Sequence, residues 1–148
     1  MPSQLEFVVR ALVALCLGAA IGLERQLSHH EAGLKTNALV SLGTALFVAV
    51  SLHFQEPDRV LAQVVTGVGF LGAGMIMRDG LQVRGLNTAA TSWCAAAVGM
   101  ISGSGDLGIA TSATAIVVTA NIVLRQVVLR IDAWQRARGV VPDEQKGH

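Results

Sequence analysis

Five apolar runs, at residues 8–23, 37–54, 60–77, 87–103 and 107–124, constrain this chain more than any other feature. Each is close to the roughly 17 to 25 residues a helix needs to cross about 30 Å of hydrocarbon, where backbone polar groups must be satisfied inside the helix. The expected fold is therefore an all-α membrane protein, a bundle of five transmembrane helices. A water-driven core would not need 52% hydrophobic residues against 14% charged ones. The apolar mass is also small and aliphatic, with 16 glycines and no tyrosine, which suits close helix contact in lipid. The fourth run is the weakest, being rich in Ala, Ser and Thr. It is bounded by the turn Ser102-Gly103-Ser104-Gly105-Asp106, and a re-entrant hairpin is its alternative.

Charge placement orients the bundle. Arg25, Lys35, Arg78, Arg84, Arg125, Arg130, Arg136, Arg138 and Lys146 fall on one side of five crossings, leaving Arg10 and Arg59 on the other. The positive-inside rule makes the first side cytoplasmic, so the N-terminus is expected outside and the C-terminus inside. The first run lacks the basic flank of a signal peptide; Glu6 and Arg10, one helical turn apart, suggest an ion pair instead. Residues 1–124 form the expected membrane domain. Residues 125–148 form a basic tail in which Val127, Val128, Ile131 and Trp134 group at helical spacing, for headgroup contact or as a plain helix extension, with disorder expected from Gly139.

Run three contains Gly67-Val68-Gly69-Phe70-Leu71-Gly72-Ala73-Gly74, a formal G-x-G-x-x-G match. A dinucleotide fingerprint needs a preceding strand and a helix opening at the motif, and an apolar run offers neither, so the glycines read as packing residues. Gly67 and Gly74 project to one side, Gly69 and Gly72 to the other, which predicts a central helix between two close neighbours. Gly18 and Gly22 in run one and Gly99 in run four offer matching surfaces. The ridge of Gly18 and Gly22 suits a homodimer or use within one chain.

Polar groups form two further sets. Asn87, Thr91 and Cys94 line one stripe of run four, and Thr114, Asn121 and Arg125 one stripe of run five. Amides are costly in hydrocarbon, so Asn87 and Asn121 are expected to turn inward, as interhelical hydrogen bonds or as the lining of a path. At the expected cytoplasmic ends lie Glu24, Arg25, Lys35, Thr36, Asn37, Arg78, Asp79 and Arg84, whose mixed signs suggest an ion-paired ring that anchors helix ends or receives a partner. His29, His30 and His53 lack metal-site spacing. A weak, hydrated Mg²⁺ contact at Glu56 or Asp58 is left open. Cys16 and Cys94 read as small apolar residues. No arrangement suggests nucleophilic catalysis, a cofactor or a nucleic-acid partner.

The segments at residues 18–26 (Gly18 to Gln26), 32–40 (with Lys35-Thr36-Asn37), 69–74 and 83–91 (Val83-Arg84-Gly85-Leu86-Asn87-Thr88-Ala89-Ala90-Thr91), together with Trp93-Cys94, resemble the MgtC/SapB family of bacterial membrane proteins in order and spacing. The resemblance covers roughly residues 8 to 130. It implies a multi-pass protein of the cytoplasmic membrane, linked to growth at low Mg²⁺ and, in pathogens, to survival in phagocytes. It implies regulation of partner membrane proteins or of membrane energetics rather than catalysis; an ion carrier or channel is the alternative. It carries over Glu24, Arg25, Lys35, Thr36, Asn37, Arg78, Arg84, Asn87, Thr91 and Cys94 as positions of interest. Many relatives continue into a soluble domain, and any function held there is expected to be absent or supplied by another protein. Lysine at position 35 replaces a commoner arginine, which weakens bidentate recognition there.

Overall fold

The computed structural model describes residues 3–28, 30, 32–54, 57–80 and 82–138. Within them run helix α1 (Gln4–Leu27), α2 (Leu34–His53), α3 (Pro57–Met75), strands β1 (Met77–Asp79) and β2 (Gln82–Arg84), α4 (Leu86–Ser104) and α5 (Leu107–Ala137). The chain divides into two compact units, Met1–Val118 and Thr119–His148. Helix α5 passes through residue 124 without a break, where the sequence suggested a boundary between membrane domain and tail. Residues 139–148, His29 and Glu56 lie outside the described residues.

Local sequence sets the ends of these elements. Ser3 and Glu6 start α1 with a reciprocal capping box, in which Ser3 N–H donates to Glu6 Oε2 at 2.7 Å and Glu6 N–H donates to Ser3 Oγ at 3.2 Å. Glu6 is thus engaged with its own helix start and not with Arg10. Arg10 instead donates through Nη1 to the carbonyls of Gly103 at 3.2 Å and Ser104 at 3.3 Å. A cation at the last turn of α4 meets the negative end of that helix dipole and satisfies carbonyls that lack an intrahelical donor. The fourth run is therefore a full helix that turns at Gly105, whose φ of 104° suits glycine.

Between α3 and α4 the chain forms an antiparallel hairpin, with Met77 opposite Arg84 and Asp79 opposite Gln82. The third run was expected to stay helical to residue 77. The Asp79-Gly80 pair, with Gly80 at φ 60°, is a hairpin signal that the helix reading overrode.

Helices α1, α2 and α4 pack most closely together. Ala14, Ile21, Ala38, Ala45, Val48, Ala95 and Val98 are buried among them, and the α5 residues Ala113, Val117 and Val118 pack on the Ile21, Ala95 and Val98 cluster. Helix α3 is not the central helix that its glycines suggested. Apart from Val68, its described residues are exposed or half-buried, and Phe70 is 82% exposed. By length and composition α1, α2 and α5 are apolar enough to cross a membrane. Leu5, Leu12, Phe47, Phe70, Trp93 and Ile116 lie on the outside, where apolar surface of this extent suits lipid and not water.

Candidate functional site

The segments that carried the resemblance come together where α1, α2 and α4 meet. Gly18 lets α2 approach so closely that a Cβ there would lie 2.5 Å from Ser41 Cβ and 2.6 Å from the Asn37 carbonyl. A Cβ at Gly22 would sit 2.6 Å from Leu34 Cα, and one at Gly99 would overlap the Ser41 carbonyl. The ridge of Gly18 and Gly22 is thus used within the chain. Backbones this close bring short polar side chains within reach of neighbouring carbonyls. Ser41 Oγ accordingly donates to the Ala14 carbonyl at 2.8 Å, joining α2 to α1.

Asn37 is the hub of this seam and has no exposed surface. Its Nδ2 donates to the carbonyls of Ala32 at 2.5 Å and Gly33 at 3.1 Å, closing the loop before α2 over the start of that helix. Its Oδ1 accepts from Ser92 Oγ of α4 at 3.2 Å. One buried amide therefore holds the α1–α2 loop, α2 and α4 together, with both of its ends in use. The sequence placed Asn37 in a peripheral charged ring; the structure makes it a core residue.

Arg25 is the second buried polar group. It is 5% exposed, and its Nη2 donates to Thr88 Oγ1 in the first turn of α4 at 3.1 Å. Its Nε is buried without a partner among the described residues, as is Oε2 of Glu24, whose Oε1 accepts from Ser28 Oγ at 3.0 Å. No ion pair of the expected ring is present among the described residues: Glu24 acts electrostatically on Arg25 without bonding to it, Lys35, Arg78 and Arg84 make none, and the Asp79 side chain lies outside the described residues. Lys35 and Arg84 are exposed, and Arg78 Nε donates to the Gly80 carbonyl within the hairpin at 3.1 Å.

The polar stripes of α4 and α5 are largely satisfied inside their own helices. Thr91 donates to the Asn87 carbonyl at 2.9 Å and Thr114 to that of Ala110 at 2.9 Å, the back-bonding available to hydroxyls in a helix. Asn87 does not turn inward; it sits exposed at the second residue of α4. Cys94 is a half-buried free thiol. In the second unit, Asn121 is half-buried with its Nδ2 unpartnered among the described residues, Arg125 is exposed, and Arg138 lies over the Trp134 ring at 4.0 Å. Val127, Val128, Ile131 and Trp134 are exposed.

The α3 glycines are placed differently from those of α1 and α4. A Cβ at Gly67, Gly69 or Gly74 would meet nothing within 4 Å, and one at Gly72 would only touch Ala89 at 3.7 Å. Between α2 and α3 lies an open groove of about 950 Å³, lined by Lys35, Leu39, Phe47, Gln63, Gly67 and Leu71 among others. Sequence reasoning missed Ser41, Thr88 and Ser92. Their one signal was the placement of short hydroxyl side chains within otherwise apolar runs.

Comparison with known proteins places this arrangement in context. A profile of the MgtC family matches residues 11–129. Protein MgtC of Salmonella typhimurium is 50% identical over 128 residues, covering 85% of this chain and 55% of that protein. Protein MgtC of Brucella abortus is 48% identical over 129 residues, covering 85% and 54%. An uncharacterized protein of Synechocystis is 50% identical over 123 residues, covering 81% and 53%. The chain spans about half the length of these curated relatives. No solved structure matches it.

Proposed function

This chain belongs to the MgtC family, and on that premise we propose that it is a non-enzymatic regulatory protein of the bacterial cytoplasmic membrane. It adapts the cell to low magnesium, and where the host is a pathogen it supports survival inside phagocytes, by acting on partner membrane proteins or on membrane energetics. In this reading all five helices cross the bilayer, with the N-terminus outside and the exposed arginines of the hairpin and of α5 on the cytoplasmic side. Lipid is one partner and another membrane protein the second. A homodimer would need a surface other than Gly18 and Gly22, which α2 already covers.

The observation that carries the proposal is the seam itself. Arg25, Asn37 and Thr88 of the segments at 18–26, 32–40 and 83–91, together with Ser41 and Ser92 just beyond them, are spent on hydrogen bonds between helices and to the α1–α2 loop. Polar groups used in this way fix a shape for recognition; a conducting path would need them free to replace the hydration of an ion. Deleting the gene is expected to slow growth at low Mg²⁺ and the intact chain to restore it, while purified protein in proteoliposomes moves no Mg²⁺. Robust Mg²⁺ flux from the pure protein would establish the carrier alternative.

A further inference from the structure

The 20 residues of α2 rise about 30 Å, the thickness of the hydrocarbon layer. In the membrane-spanning reading above, on which this inference rests, Lys35 in the first turn therefore lies at one membrane surface. The groove between α2 and α3 begins there. It starts at Lys35 and Thr36 and follows α2 to Phe47, about 18 Å, or little more than one leaflet. Leu39, Val64 and Leu71 make its walls apolar, and none of its described lining residues is acidic. A Cβ at Gly43 or Gly67 would meet nothing within 4 Å, so the space beside both lining glycines is left unfilled by the described residues. Phe47, 63% exposed, and Val60 also line a separate cavity of about 430 Å³ toward Phe54 and Arg59, and so stand between the two spaces.

We propose that the α2–α3 groove is a binding site for one anionic diacyl phospholipid, with its acyl chains between Leu39, Val64 and Leu71 and its phosphate at Lys35. A groove that is cationic at the membrane surface, apolar below it and about one leaflet long has the charge, polarity and reach of that molecule. The Lys35 ammonium is a point charge suited to a phosphate, and it supplies the preference for an anionic headgroup over a neutral one. The acyl chains are held by van der Waals packing, the interaction that remains where lipid removes the hydrophobic effect. Gln63, the one amide in the groove, lies one helical turn from Val60, at the end remote from Lys35, and takes no part in holding the headgroup. A spanning partner helix, about 10 to 12 Å across and running through both leaflets, would meet the exposed Phe47 ring midway.

The test uses the full chain in mild detergent, with lipid retention read by native mass spectrometry. Phosphatidylglycerol and phosphatidylcholine of identical acyl chains are supplied in equal amounts. One phosphatidylglycerol per chain is expected to be retained in preference to phosphatidylcholine. Lys35→Gln is expected to lower that preference about fivefold, the effect of one basic residue at an anionic surface. Gly67→Leu fills the groove without meeting a described neighbour, and is expected to abolish retention of both lipids while the melting temperature holds or rises. If Gly67→Leu fails to fold, Gly43→Leu on the facing helix decides. Gln63→Leu is expected to leave retention unchanged. Equal retention of the two lipids by the parent chain, undiminished retention in the groove-filling variant, or a loss in Gln63→Leu as large as that in Gly67→Leu would overturn the proposal. So would a dimer of the parent chain that Gly67→Leu dissociates, since a second copy would then occupy the groove. The regulatory role is read separately, by growth at low Mg²⁺, so either reading can fail while the other stands.

Discussion

Helices α3 and α4 are both 19 residues long and both carry glycines, yet the fold uses them in opposite ways. In α4, Gly99 and Gly103 receive the backbone of α2 at Ser41 and Ala45. In α3, Gly67, Gly69 and Gly74 receive nothing from the described residues, and Gly67 faces the groove beside Leu39 and Phe47. A glycine permits close approach; it does not create it. The approach occurs where the opposite helix also presents small residues at the same height, as α2 does with Ser41 and Ala45. Along the groove α2 presents the bulky Leu39 and Phe47 on either side of Gly43 and Thr44, and neither Gly43 nor Gly67 is filled.

The sharpest way to break this comparison is to fill Gly99. Gly99→Val must displace the Ser41 carbonyl and is expected to cost about 3 kcal/mol or more, at the upper end of overpacking penalties, read as loss of the folded fraction in a detergent unfolding series. Unchanged unfolding would show that the α2–α4 contact is not a stability determinant. Asn37→Leu comes next. It strands the carbonyl of Ala32 and the Ser92 hydroxyl, while the Gly33 carbonyl keeps the backbone N–H of residue 37, for an expected loss of about 2 kcal/mol on the same measurement; a neutral result would mean that the seam re-satisfies itself. The smallest effect belongs to α3. Gly69→Ala meets open space and improves helix propensity, so a gain of about 0.5 to 1 kcal/mol is expected, and a marked loss would reveal a neighbour of α3 outside this chain.

Most of the helical content was legible in the sequence, because a run of apolar residues of membrane-spanning length leaves the backbone few alternatives to hydrogen-bonding within itself. The hairpin at 77–84 was missed because two three-residue strands do not compete with a long apolar period, although Asp79-Gly80 was there to be read. The site was half legible. Family motifs pointed to Arg25, Asn37 and the start of α4, but their roles were assigned from charge type alone. That put Asn37 in a surface ring, turned Asn87 inward and paired Arg10 with Glu6, whereas Arg10 reaches 93 residues along the chain to Gly103.

By itself, then, the sequence determined the local facts: five helical segments, their approximate lengths, and a surface fit for lipid. Those follow from interactions between residues a few positions apart and from the cost of bare peptide groups in hydrocarbon. Only the tertiary structure decided which glycines are filled, that α2 and α4 rather than α3 hold the centre, and that Asn37 and Arg25 are buried. Those outcomes depend on what stands opposite across a helix interface. Residues such as Gly99 and Ser41 meet only after the chain has folded back, and no periodicity within one helix encodes its neighbour's height or facing.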